Sequence, residues 1–281
     1  MKTNRGTATW AGVLLGITGA LVLNVLAHAD EADRALSEEF HHTYSLAANG
    51  TIALENVNGG VHITAWDQNE VKLDAVKRAF DAGELKNVEI EVNDRPDFLS
   101  IRTRYRDHGT RNEENHQRAE VEYSLSVPRS AHLDEIKLIN GSLDVSGSTG
   151  EVRASCINGK LIAHGLLGPV KLSTINGPIE ASFERIGNSS LELSSVNGPL
   201  RLTIPSDVNA IIDATTVRGG IQNDFGLHVT NRGFIGHLLR GELGSAGGGI
   251  KLRNVNGPIN IEHAKDGHAL SPAHSSDQGD I

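Results

Sequence analysis

A β-branched residue followed by Asn-Gly recurs along this chain, and no other feature restricts the possible folds as tightly. The copies are Val57-Asn58-Gly59, Ile139-Asn140-Gly141, Ile157-Asn158-Gly159, Ile175-Asn176-Gly177, Val196-Asn197-Gly198 and Val255-Asn256-Gly257. A further copy, Val217-Arg218-Gly219, has lost its Asn. From Asn140 onward the steps are 18, 18, 21, 21 and 38 residues. The last step is about two units long, which reads as one degenerate copy between Gly220 and Ile250. Apolar and polar residues alternate on both sides of the turns, as in Val152, Ala154 and Cys156 before one and Leu200, Leu202 and Ile204 after another. Alternation with period two is a strand signal. A unit of 18–21 residues is also too short for a pair of helices. Asn and Gly both tolerate positive φ and suit the turn between two strands.

The regular spacing predicts an all-β chain: a single-stranded β-solenoid, β-helix-like, with 18–21-residue Asn-Gly rungs and a β-rich N-terminal part. Rungs would stack about 4.8 Å apart, so that Asn140 to Asn256 forms a rod of roughly 30 Å. The turn residues Asn58, Asn140, Asn158, Asn176, Asn197 and Asn256 then form a structural ladder, amide upon amide. No rung is stable alone, because each of ~20 residues costs roughly 1–2 kcal/mol to order and only stacking shares the buried layers. The residue before each Asn has outward parity, yet in every copy it is Val or Ile. Either the strand bends there or a second layer covers that face.

The rest of the chain divides around this repeat. Lys2 and Arg5 precede an apolar run from Ala11 to Leu26, which closes on Ala27-His28-Ala29. That is the layout of a secretory signal, residues 1–29. The run is shorter than the about 20 residues a spanning helix needs, so no stable transmembrane insertion is expected once the signal is cleaved. Cleavage lowers Lys+Arg from 26 to 24 against 35 Asp+Glu, and the formal charge moves from -9 to 24 − 35 = -11. Such an acidic chain is a poor partner for nucleic acid. Residues 30–131 read as the β-rich part, with the first rung, a helical stretch from Phe80 to Lys86 and a charged hairpin whose loop runs from Arg106 to Arg118. Residues 132–263 carry the repeats, and 264–281 read as a disordered polar tail.

Candidate chemistry is sparse. The outward positions Arg153, Lys171, Glu192 and Lys251 change in sign and size from rung to rung, so no row of carboxylates stands ready for calcium or for acid–base catalysis. His263, His268 and His274 lie five and six residues apart, which is no structural zinc spacing. Cys156 rules out an intramolecular disulfide, being the one cysteine. It occupies the repeat position held elsewhere by Thr174, Ser195 and Thr216, so it reads as a small structural residue, not a nucleophile. Trp66-Asp67 reads as a cap over the core in preference to a sugar platform. No catalytic residue, metal or cofactor is expected.

The order of motifs carries a resemblance. Gly50-Thr-Ile-Ala-Leu-Glu-Asn-Val-Asn-Gly-Gly-Val-His-Ile-Thr-Ala-Trp-Asp67 is followed by Val121-Glu-Tyr-Ser-Leu-Ser-Val-Pro128. The Asn-Gly copies come next, then Leu202-Thr-Ile-Pro205 and the Gly-rich stretch from Gly241 to Pro258. Over about residues 40–263 this resembles the bacterial exported β-strand-repeat family of unknown function labelled "putative adhesin". The resemblance implies export and a solenoid-like fold, and it supplies no catalytic residues. The expected function is a non-enzymatic, adhesin-like binding or scaffold module of the cell envelope, periplasmic or extracellular, whose partner is an envelope protein or glycan. A structural protein that assembles end to end is the second expectation, and a carbohydrate-active enzyme of the β-helix type the third.

Overall fold

A computed structural model describes residues 36–106, 119–187, 189–233, 236–245 and 247–275. The signal read at 1–29 and most of the loop read at 106–118 lie outside them. The N-terminal region runs β1 (Leu36–Ser45), β2 (Thr51–Asn58), β3 (Val61–Trp66), β4 (Glu70–Ala79), α1 (Ala82–Lys86), β5 (Val88–Arg95), β6 (Phe98–Tyr105) and β7 (Glu120–Pro128). The repeats follow as pairs: β8 (His132–Asn140) with β9 (Leu143–Ser146), β10 (Val152–Asn158) with β11 (Leu161–Leu166), and β12 (Val170–Asn176) with β13 (Ile179–Phe183). Next come β14 (Leu191–Asn197) with β15 (Leu200–Ile204), and β16 (Ala210–Arg218) with β17 (Ile221–Asn223). The chain closes with β18 (Val229–Asn231), β19 (His237–Leu243), β20 (Gly248–Asn256), β21 (Ile259–His263) and β22 (Ala273–Ser275).

The chain is all-β, but the single-stranded solenoid expected from the spacing is not what forms. The strands build two mixed sheets. One holds ten strands in the order β1-β4-β7-β3-β9-β11-β13-β15-β21-β17, and the other twelve, β18-β19-β16-β20-β14-β12-β10-β8-β2-β6-β5 with β22 against β19. Each Asn-Gly turn passes the chain from the larger sheet to the smaller. Equivalent strands pair in parallel and in register, for example Val152 with Val170 and Asn158 with Asn176.

Winding order departs from sequence order. The β20–β21 pair inserts between β14–β15 and β16–β17, so Asn256 follows Asn197 and Arg218 comes last. No degenerate rung lies between them. Pairing chemistry explains the placement. Asn256 can accept and donate within an amide chain, whereas Arg218 has no acceptor and can only end one. Antiparallel strands flank both sheets at one side, β1 on β4 and β5 on β6, while at the other side β19 lies antiparallel on β16 in the larger sheet and the smaller ends on the parallel strand β17.

Inward side chains from both sheets share one core. Leu172, Leu193, Ile212 and Leu252 of the larger sheet and Leu161, Ile179, Leu200 and Ile259 of the smaller are all 1% exposed or less. At about 1.5–3 kcal/mol per buried aliphatic side chain, small branched residues suffice, and this fits the scarcity of rings. Tyr123, Phe183 and Phe225 are buried rings; the Tyr123 phenol lies 2.7 Å from Thr103 Oγ1, which also donates to Asn56 Oδ1 at 2.9 Å. Burial raises the Tyr123 phenol well above its ordinary range.

Phe225 and Leu227 are buried, and Leu227 lies against Gly241 of β19. The tail read as disordered is held there as far as described: Ser271 N donates to Ser206 O at 2.8 Å, and Ala273 pairs with Leu243. Trp66 Nε1 donates to Glu70 O at 2.9 Å, and Asp67 pairs with Arg129. No helix among the described residues is long and apolar enough to cross a membrane.

Candidate binding face

The turn asparagines form one hydrogen-bonded row in sequence order, with Arg218 beyond Asn256. Asn140 donates to Asn58 Oδ1 at 3.0 Å, Asn158 to Asn140 at 2.8 Å, Asn176 to Asn158 at 2.8 Å, Asn197 to Asn176 at 2.9 Å and Asn256 to Asn197 at 2.8 Å. Every Nδ2 points the same way along the stack. Gly59, Gly141, Gly159, Gly177 and Gly198 also donate their N–H to the Asn carbonyl of the next rung, as Gly159 does to Asn176 at 3.0 Å, and Gly257 donates to the Arg218 carbonyl. The glycines are fixed by contact: a Cβ at Gly159 would run into the carbonyl oxygen of Gly141, and one at Gly177 into that of Gly159.

Behind the turns lies a buried polar row, of which the sequence reading took Cys156, Thr174, Ser195 and Thr216 as merely small. Its members are Asn56, Cys156, Thr174, Ser195, Asn254 and Thr216, all 4% exposed or less. Most serve the turn-glycine carbonyls, which the ladder leaves unpaired. Cys156 Sγ donates to Gly141 O at 3.2 Å, Ser195 Oγ to Gly177 O at 3.3 Å, Asn254 Nδ2 to Gly198 O at 2.8 Å and Thr216 Oγ1 to Gly257 O at 2.9 Å. Thr174 Oγ1 has no partner. Burial raises the Cys156 thiol above its ordinary value, which opposes the thiolate a nucleophile needs.

The outer face of the twelve-stranded sheet presents rows along the stack. Next to the asparagines run Val57, Ile139, Ile157, Ile175, Val196, Val255 and Val217. The strand neither bends them inward nor covers them: Ile139, Ile157, Ile175, Val196, Val255 and Val217 are 40–45% exposed. Beside them lies a row of small hydroxyls, Ser155, Ser173 and Ser194, bounded by Lys137 on one side and Arg253 on the other. Beyond the hydroxyls stand Arg153, Lys171, Glu192, Lys251 and Asp213.

Above the serines is a groove of about 890 Å³. Its wall includes the β8 bulge, where Glu135 takes a left-handed φ of 57°. Charges are paired along it. Lys171 lies 3.2 Å from Glu192, Arg153 2.7 Å from Glu151, and Arg253 grips Asp213 with two nitrogens at 2.9 and 3.0 Å. The Arg253 guanidinium holds the Asp213 carboxyl below its ordinary value. The described lining contains no histidine, cysteine or aromatic residue.

One grouping was not readable from spacing. The fold brings Asp207, Asp266 and His268 within 4.8 Å of one another, all exposed. Hydrogen bonds from Ser206 hold the Asp266 carboxyl at about 2. Exposed carboxylates gather this way without a metal, and none is assigned to them.

The chain matches no family model and no curated protein. Its fold is similar to solved structures. A "putative cell adhesion protein" from Clostridium sporogenes aligns at a TM-score of 0.48 and 13% identity, over 82% of this chain and 100% of that one. A "putative adhesin" from Parabacteroides merdae aligns at 0.36 and 10%, over 83% and 97%. Another from Bacteroides fragilis aligns at 0.28 and 14%, over 80% and 97%. These share the label of the family that the motif order resembles. At such TM-scores the likeness carries no argument about what this chain binds.

Proposed function

We propose that the protein is a non-enzymatic, adhesin-like binding module of the cell envelope, exported, and that it works through the groove on its twelve-stranded sheet. The observation that carries this reading is the groove itself. It is open, its lining includes the hydroxyls of Ser155, Ser173 and Ser190, and side chains of both charges, Arg153, Lys171, Glu192, Lys251 and Asp213, stand along it. Such a surface recognises an extended chain by shape and charge pattern. An extended polypeptide of mixed charge suits it better than a glycan, because the described lining offers no ring against which a sugar could stack. Its carboxylates are paired with cations, an arrangement suited to recognition and not to proton transfer.

Binding to washed envelope fractions tests this. The wild-type protein should bind saturably, and pretreating the fraction with protease should abolish binding. Ser173→Trp fills the groove floor without touching the core and should weaken binding at least tenfold, about 1.4 kcal/mol. Equal binding by the variant, or none by the wild type, sinks the reading. Protease shaving of intact against osmotically opened cells tests the address.

A further inference from the structure

We infer that the aliphatic row and the asparagine ladder beside it form a pairing surface for a second copy of this chain. The row runs Val57-Ile139-Ile157-Ile175-Val196-Val255-Val217, roughly 29 Å over six steps of about 4.8 Å. Its six most open members, 40–45% exposed, leave on the order of 400 Å² of apolar surface, the size of patch that on a monomer usually has a use. That is about half of the ~800 Å² each partner buries in a standard interface, and the flanking asparagines can supply the remainder.

Three features select a second copy over other occupants. The first is charge. The molecule is acidic, with a net charge of -9, yet Arg218 is the one charged residue within these two rows. Like-charge repulsion between copies is therefore weakest at this face. The second is hydrogen bonding. Asn140, Asn158, Asn176 and Asn197 each use one amide hydrogen and one oxygen lone pair within the ladder. One donor and one acceptor per rung remain outward. A row offering both at every step is complementary to itself, and two rows in opposite directions align their amide dipoles favourably. The third is period. Apolar side chains spaced by one rung match another stack of rungs, whereas a helix or an extended strand has a different rise. A two-fold axis across the stack satisfies all three and closes at two copies. This pairing leaves the groove open and is independent of what the groove binds.

Sedimentation of the full chain over about a hundredfold range of concentration tests the inference. The expected result is a monomer–dimer equilibrium that closes at two. Ile175→Glu with Val196→Glu should leave the circular dichroism unchanged and weaken dimerisation at least tenfold. Ile175→Thr with Val196→Thr keeps the β-branch; it should also weaken dimerisation, and it serves as the readout if the charged pair fails to fold. A wild-type monomer at every concentration overturns the inference. So does growth beyond two copies, or a dimer that both variants leave unchanged.

Discussion

Asn256 donates to Asn197 Oδ1 at 2.8 Å across 59 residues of chain, while Arg218, which follows Asn197 sooner in the sequence, lies one rung further out. The ladder therefore runs Asn58 to Asn256 unbroken and stops where its amide is missing. An interior member such as Asn176 makes two ladder bonds and the terminal Asn256 makes one. At about 0.5–1.5 kcal/mol net per bond, Asn176→Ala should cost roughly 1–3 kcal/mol and Asn256→Ala about half that, by urea denaturation. Arg218→Asn should extend the ladder by one amide bond and stabilise by about 0.5–1 kcal/mol. A loss of stability in that variant would mean that the guanidinium contributes more than the amide it replaces.

The glycine column makes a sharper contrast. A methyl at Gly159 meets the Gly141 carbonyl, while one at Gly249, on the outer face of β20, meets nothing within 4 Å. Gly159→Ala must push adjacent rungs apart and should cost about 3 kcal/mol. Gly249→Ala should be neutral or stabilising by up to about 1 kcal/mol, because it restricts the unfolded chain. Comparable melting temperatures for the two variants would show that the rungs are more loosely stacked than the contacts require.

The buried polar row separates a working hydroxyl from an idle one. Thr216 Oγ1 donates to Gly257 O at 2.9 Å, while Thr174 Oγ1, the equivalent residue two rungs from Asn254, has no partner. Thr216→Val should cost about 1 kcal/mol, and Thr174→Val should be neutral or stabilising. Cys156 occupies the same row, so Cys156→Ser should fold and keep the bond to Gly141. Equal costs for the two valine variants would show that a water serves Thr174.

How far the sequence could be read follows from which interactions are local. The Asn-Gly turns, the flanking strands and the helical stretch before Lys86 are set by neighbouring residues, and these stand where the pattern put them. Strand order is not local. Asn197 offers the same amide to Asn256 as to any other copy, so the spacing 18, 18, 21, 21, 38 implied a winding that the insertion of β20 replaces. Parity and hydrophobicity disagreed at Ile157 and Ile175, and parity prevailed, which left the aliphatic row outside. Two relations were out of reach of a one-dimensional reading: Cys156 serving the Gly141 carbonyl, and His268 approaching Asp207. Each depends on which rung stacks on which.

Acidification should test the ion pair between Arg253 and Asp213 in the groove. Arg253 lies at hydrogen-bond distance from both Asp213 oxygens, and it holds the carboxyl below its ordinary 3.8. For a carboxylate depressed in the folded state, the stabilisation is present above the unfolded value and is lost as pH falls through the folded one. Asp213 is half-buried, and after solvent screening the pair should be worth about 1 kcal/mol near neutral pH. Asp213→Asn should therefore destabilise by that amount at pH 7, and the difference from wild type should vanish below the ordinary carboxylate range. Denaturant midpoints of both proteins across the acid range measure it. A difference that stayed constant with pH would assign the loss to packing around Arg253 and Thr215 instead of charge.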